Sequence, residues 1–205
     1  MIEVATGYGP GRLDVDRPAA APLSLLVMGH GAGGTVDAVD LVAVRDAALA
    51  AGVAVARVTQ PYRVAGRRAP APAGQLDAAF AALVAAAREV VPDGTPLVVG
   101  GRSNGARVAC RTAVALGAVG VLALAFPLHP PGRPDRSRLA ELPTTLPTLV
   151  VNGDRDPFGV PPAADVAAVV DVRLRTGEGH NLRRDSAGVA RLVVSWLADH
   201  GWAAR

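Results

Sequence analysis

Short apolar runs rich in Val and Leu alternate along the chain with longer Ala-rich stretches of helical character. An apolar run bounded by turn residues suits a strand buried on both faces. The alternation therefore predicts a mostly parallel sheet covered on both faces by helices. Strands are expected at Ser24–Met28, Val53–Thr59, Leu97–Gly100, Val121–Phe126, Thr148–Val151 and Val172–Arg175. Helices are expected at Val36–Ala51, Gln75–Val91, Asn104–Leu116, Ala163–Val170 and Ala187–His200, the second ending before Pro92, which cannot continue a helix. The opening, Ile2 to Arg17, alternates more weakly and predicts one or two edge strands. Two proline-rich segments, Pro61–Gly74 and Pro127–Pro147, read as surface loops, neither long nor apolar enough to form a cap domain. The chain has no internal repeat.

Composition narrows the class. A length of 205 residues suits a single domain spanning residues 1–205. Half of the residues are apolar and 19% are charged, which excludes a disordered chain. With 3% aromatic residues, the core must be built from many small side chains. All 21 basic residues are arginines, scattered among acidic ones for a net charge of only +3, so there is no compact footprint for a nucleic-acid partner. The one cysteine, Cys110, excludes an internal disulfide, and no basic-then-apolar leader opens the chain; a cytoplasmic location is expected. The longest apolar candidate, Leu76 to Val91, is broken by Asp77, Arg88 and Glu89, so no membrane partner is expected either.

The chemistry concentrates where expected strands end. Between the Leu97–Gly100 strand and the helix from Asn104 lies Gly101-Arg102-Ser103-Asn104-Gly105. A G-x-S-x-G at a strand-to-helix turn suits a nucleophile elbow, because the serine is held in a sharp turn whose flanks have no room for a Cβ. After the Ser24–Met28 strand comes His30-Gly31-Ala32-Gly33-Gly34. This is where backbone amides could stabilise an oxyanion: those of Asn104 and Ala32, with Gly33 as the competing donor. The loop lacks the G-x-G-x-x-G spacing of a dinucleotide site, and there is no lysine for a phosphate loop. Asn152-Gly153-Asp154-Arg155-Asp156-Pro157-Phe158 follows the Thr148–Val151 strand with two carboxylates, and Gly177-Glu178-Gly179-His180-Asn181 follows the last strand with a glycine-flanked histidine. Nucleophile, acid and histidine in that order, all at C-terminal strand ends, converge on one edge of a parallel sheet. There His180 would act as general base on Ser103, and a carboxylate would fix the imidazole's tautomer.

Other polar residues admit two readings. His30 could serve as a base or brace the glycine turn. His129 could line a substrate pocket or sit in a proline-held turn. Arg102 could bind an anionic substrate or pack at the elbow. Gly31 and Gly33 could line the pocket. Cys110 lies two helical turns beyond Ser103 and reads as a small core residue, and Trp196 and Trp202 as packing residues. No group has metal-ligand spacing, so neither a metal nor a cofactor is expected.

With these residues in place, the chain resembles the α/β-hydrolase superfamily over nearly its full length, and most closely its small, capless dienelactone-hydrolase-like branch. Gly100-Gly101-Arg102-Ser103-Asn104-Gly105-Ala106-Arg107, Phe126-Pro127-Leu128-His129-Pro130-Pro131-Gly132 and Gly153-Asp154-Arg155-Asp156-Pro157-Phe158-Gly159 resemble one subgroup. It includes a testis-expressed hydrolase-like protein and a subunit of a chromatin nonspecific-lethal complex. The resemblance implies an α/β-hydrolase fold with Asp156 as the acid and Asp154 as the fallback. It implies a serine hydrolase acting on a carboxylic ester, or a related acyl bond such as a thioester, of a small-molecule substrate. The competing expectation is a catalytically silent hydrolase fold used as a protein-interaction module.

Overall fold

The computed structural model describes residues 1–205 and is organised around one sheet of eight strands. In chain order the elements are β1 (Ile2–Thr6), β2 (Gly9–Asp16), β3 (Ser24–Gly29), α1 (Val39–Ala50), β4 (Val53–Thr59), α2 (Pro61–Val64) and α3 (Ala73–Arg88). There follow β5 (Leu97–Arg102), α4 (Asn104–Thr112), β6 (Gly120–Leu124), a 3-10 turn at Leu139–Glu141, β7 (Thr148–Gly153), β8 (Val170–Arg175) and α5 (Ser186–Asp199). The spatial order is β1-β2-β4-β3-β5-β6-β7-β8. β2 runs antiparallel to both β1 and β4, while every pair from β4 to β8 is parallel.

Strand side chains alternate between two helix layers, as the period of 2 requires. Leu25 and Val27 of β3, Leu97 and Val99 of β5, and Val121 and Ala123 of β6 pack with α3 and α4 around Phe80, Leu83 and Ala109. Their neighbours Leu26, Met28, Val98, Leu122 and Leu124 face the other way, onto α1 and α5, around Leu41, Val44, Val193 and Trp196. α3 buries Leu76, Ala79, Phe80, Leu83, Val84 and Ala87, one stripe at helical spacing. Each fully buried Leu, Val or Phe contributes about 1.5–3 kcal/mol by leaving water. The many alanines let helices and sheet approach closely.

The strand order reverses between β3 and β5, and at such a switch point the loops leaving the two C-terminal ends diverge to opposite faces and open a crevice. The loop after β3 begins at His30, and the turn after β5 carries Ser103.

Three expectations need correction. Residues 163–170 form no helix; the chain there makes isolated turns, with Asp165 N–H donating to Pro162 and Val170 N–H to Ala167. The segment is too short to nucleate a helix alone, Val166, Val169 and Val170 are stiff at χ1, and Val170 is already paired to Thr148 as the first residue of β8. The segment from Pro61 is not wholly loop, because Pro61 at the first helical position opens the short α2. The first helix begins at Val39 instead of Val36, since the Val36 carbonyl and the Asp37 carboxylate are both taken by Arg57 of β4, at 3.1 and 3.0 Å. The antiparallel β1–β2 hairpin accounts for the weak alternation at the start of the chain.

Candidate active site

Ser103 stands between β5 and α4 with φ 53° and ψ −111°, a conformation costly for a residue with a side chain. Local packing enforces it. A Cβ on Gly105 would run into the Gly29 carbonyl and lie 2.8 Å from the His30 oxygen, and one on Gly101 would lie 2.5 Å from the Gly29 oxygen. β3, the elbow and α4 thus touch backbone to backbone. Ser103 N–H donates to the Leu124 carbonyl at 2.8 Å, which ties the elbow to β6 as well.

His180 faces the serine: its Nε2 lies 2.9 Å from Ser103 Oγ, and its Nδ1 lies 2.8 Å from Asp156 Oδ2. With Nδ1–H donating to the carboxylate, Nε2 is left to accept a hydrogen bond from the serine hydroxyl. The Phe158 ring meets the imidazole edge-on at 4.4 Å between centroids and limits its rotation. The Asp156 side chain is wholly buried, and its Oδ1 accepts the Phe158 N–H at 2.9 Å. Asp154 is placed elsewhere: its Oδ1 accepts the Gly177 N–H at 2.8 Å and so pins the turn after β8. A Cβ on Gly153 would strike the Glu178 backbone, so the turn bearing Asp156 and the loop bearing His180 also meet backbone to backbone.

The glycine loop lies against the elbow, where a Cβ on Gly31 would sit 3.5 Å from Ser103 Cβ. Gly34 N–H closes a turn onto the Gly31 carbonyl at 3.1 Å, while the amides of Ala32 and Gly33 donate to no carbonyl. Asn104 N–H opens α4 and, like every first-turn amide, has no carbonyl a turn earlier to bond. His30 is buried; its Nδ1 donates to the Gly31 carbonyl at 2.8 Å and its Nε2 accepts the Gln60 N–H at 3.2 Å. Burial, aided by the charge of Arg63, holds its pKa below 6.5 against the Gly31 bond, so it is a neutral brace.

His129 is not brought to the serine. Its Nδ1 lies 3.0 Å from the Pro130 carbonyl, its N–H donates to Phe158, and its ring fills the space a Cβ on Gly159 would need, so it braces the acid turn. Arg102 lines a cavity of ≈ 170 Å³ with Asp40, Asn181 and Arg183, but its guanidinium is engaged by Asp40, His180 and Asn181. A larger cavity of ≈ 540 Å³ between α1 and α5 includes no residue of the Ser103 cluster. Cys110 is buried in the apolar layer under α4, with its thiol pushed up to about 12 by burial. No group of three or more His, Cys, Asp or Glu side chains could hold a metal ion.

Two residues at the site escaped the sequence reading. Asn152, fully buried at the end of β7, accepts the Phe126 N–H and donates to the Phe126 carbonyl, both at 2.9 Å, and its Nδ2 lies 3.4 Å from Asp156 Oδ2. Asp40, in the first turn of α1, is buried beside Arg102. A polar residue at the end of an otherwise apolar strand was the available signal for Asn152; nothing local marks Asp40.

A strained serine at the switch point of a mostly parallel sheet, with no cap above it, defines a capless α/β-hydrolase fold. Residues 22–187 match the family model described as an alpha/beta hydrolase domain, and the chain belongs to that family. Among solved structures, a lidless serine hydrolase from Xanthomonas campestris is 20% identical, with 97% of this chain and 93% of that one covered and a TM-score of 0.77. Est1E from Butyrivibrio proteoclasticus, solved with ferulic acid bound, is 17% identical with 97% of this chain and 98% of that one covered and a TM-score of 0.79. The dienelactone hydrolase of Anabaena variabilis is 17% identical with 100% and 97% covered and a TM-score of 0.71. Identities this low establish the shared fold. A comparison with curated proteins gives no match. No helix is long and apolar enough to cross a membrane.

Proposed function

We propose that the chain is a serine hydrolase that cleaves a carboxylic ester, or a related acyl bond such as a thioester, of a small substrate. The observation that carries this reading is the chain of short contacts from Asp156 through His180 to Ser103 Oγ, at 2.8 and 2.9 Å. In it, His180 Nε2 takes the Ser103 proton as Oγ attacks the acyl carbon. Asp156 holds the Nδ1–H tautomer and stabilises the imidazolium. The amides of Ala32 and Asn104 receive the developing oxyanion, each donor being worth about 3–4 kcal/mol in the transition state. The imidazolium then protonates the leaving group, and water, activated by His180, releases the acyl chain from Ser103. The absence of a cap suits a small or extended substrate.

The motifs around Ser103, His129 and Asp156 support membership of the subgroup that includes the testis-expressed hydrolase-like protein. A lone, buried Cys110 suits a cytoplasmic setting, and the scattered arginines suit a small-molecule partner over nucleic acid or membrane.

The test is covalent labelling of the purified protein by a fluorophosphonate, beside Ser103→Ala and His180→Ala. Labelling of the unmutated protein that disappears in both variants is the expected result, and turnover of short aryl esters and thioesters then separates the two bond types. A folded protein that takes no label refutes the reading and leaves the fold as an interaction module.

A further inference from the structure

Arg102 is a scaffold neighbour of the nucleophile whose side chain does no chemistry in the mechanism above, yet it is mostly buried, with contacts from each of its three nitrogens. Its Nη2 donates to the His180 carbonyl at 3.0 Å and to Asn181 Oδ1 at 2.6 Å. Its Nε lies 2.9 Å from Asp40 Oδ2, a contact of opposite charges without the alignment of a hydrogen bond. Nη1 packs on the glycine loop, 3.2 Å from where a Gly31 Cβ would be. One guanidinium therefore touches the start of α1, the loop bearing the proposed oxyanion donor and the loop bearing the proposed base, while its backbone is bonded to Ser103.

From this we infer that Arg102 and Asp40 are positioning residues for the general base: the pair holds the His180–Asn181 backbone at the distance from Ser103 that the proton transfer needs. The inference rests on the serine-hydrolase reading. The His180 carbonyl receives no other hydrogen bond, so Arg102 is the main-chain restraint at the residue that must stay in reach of Oγ. The loop is tied on either side by other means: Arg155 N–H on the Glu178 carbonyl at 3.0 Å before His180, and buried Leu182, with φ 44°, after it. Leu182 N–H also closes a turn across His180 onto the Gly179 carbonyl at 3.3 Å, but none of these bonds is made by the peptide groups of His180 itself. Asp40 is 1% exposed, and its other oxygen accepts the Leu41 N–H at 3.0 Å. A carboxylate in that setting is kept for a partner, and burial raises its pKa even though Arg102 pulls the other way. Its service is to fix the plane of the fork. A planar guanidinium that contacts a helix start and two loops at once has no equivalent in lysine, whose ammonium offers one point of charge.

The experiment measures fluorophosphonate labelling rate, kcat and KM on a short aryl ester, and thermal stability for the unmutated protein, Arg102→Lys, Arg102→Gln, Asp40→Asn and the double variant Asp40→Asn/Arg102→Gln. Arg102→Gln is expected to lose on the order of 100-fold in kcat and labelling rate with KM little changed, the scale of a displacement of about 1 Å at a catalytic group. Arg102→Lys, which keeps the charge on Asp40, is expected to recover stability and only part of kcat. The double variant decides between positioning and mere structural compensation, because it removes both buried charges together. Positioning expects stability to return toward that of the unmutated protein while kcat stays low. If kcat returns along with stability, or if Arg102→Gln labels as fast as the unmutated protein, the inference is wrong and the hydrolase reading stands. If the unmutated protein takes no label, both fall together.

Discussion

Replacing Asn152 tests how far the placement of Asp156 depends on the end of β6. The side chain spans two strands: it joins the C-terminal end of β7 to both backbone polar groups of Phe126, just after Ala125 has turned through φ 46°. All of these groups are buried, so removing the amide leaves an N–H and a C=O without partners or water. An orphaned buried group costs about 1–3 kcal/mol, and two give roughly 2–6 kcal/mol. At about 2–4 °C per kcal/mol for a domain of this size, Asn152→Leu should lower Tm by roughly 4–24 °C. Leucine is the stringent choice, since it fills the volume and keeps water out, whereas alanine leaves room for a replacement water. Asn152→Asp should do no better, because its second oxygen would face the Phe126 carbonyl and Asp156 Oδ2, the latter at 3.4 Å. The same variants should slow fluorophosphonate labelling, since Asp156 loses a neighbour that limits its rotation. Scanning calorimetry and labelling read the two effects separately. A Tm within about 1 °C of the unmutated protein for Asn152→Leu would show that Phe126 does not rely on this amide and that β6 and β7 do not place Asp156 through it.

Three further expectations follow from the same structure. Cys110 should resist a thiol reagent such as dithionitrobenzoate in the native state and react at once on unfolding, because its thiol is buried and pushed up to about 12; prompt reaction of folded protein would contradict that placement. Gly105→Ala should cost at least about 1–3 kcal/mol and abolish labelling, as its methyl would press on the Gly29 carbonyl and spread the elbow from β3, and a fully active variant would refute the close approach. Because burial lowers the pKa of His30, the unfolded chain accepts a proton near pH 6.5 that the folded chain refuses. Stability should therefore fall as pH drops below that value, and the fall should stop once the folded-state pKa is passed. His30→Gln should flatten this part of the Tm-versus-pH curve, and an unchanged slope would remove His30 as its source.

What the sequence disclosed about the site depended on whether a residue's surroundings were local. Ser103, Asp156 and His180 each stand within two residues of glycine or proline just after an apolar run, so their place at C-terminal strand ends could be expected from the chain alone. Asp154 and Asp156 were harder to part. Two carboxylates two residues apart in a turn are equivalent until the turn's hydrogen bonds exist, and only then does one face Gly177 N–H and the other His180. Arg102 was ambiguous for a similar reason. Its neighbours Asp40 and Asn181 lie 62 residues before and 79 after it, far outside any local pattern, although each was in plain view as a residue type. Local signals misled where tertiary structure outweighed them. The Ala-rich stretch at 163–170 has helical composition, yet the need to deliver Val170 into register with Thr148 leaves no room for a helix. The parallel sheet itself was the most legible feature, because burial on both faces demands the continuous apolar runs that composition makes conspicuous. The same burial conceals Asn152 and Asp40: in a sheet so uniformly apolar, a polar residue at a strand end or in the first helical turn is informative only once its partner is known. Such residues hold the loops of this site together, and they are the positions where substitution should separate loss of fold from loss of chemistry.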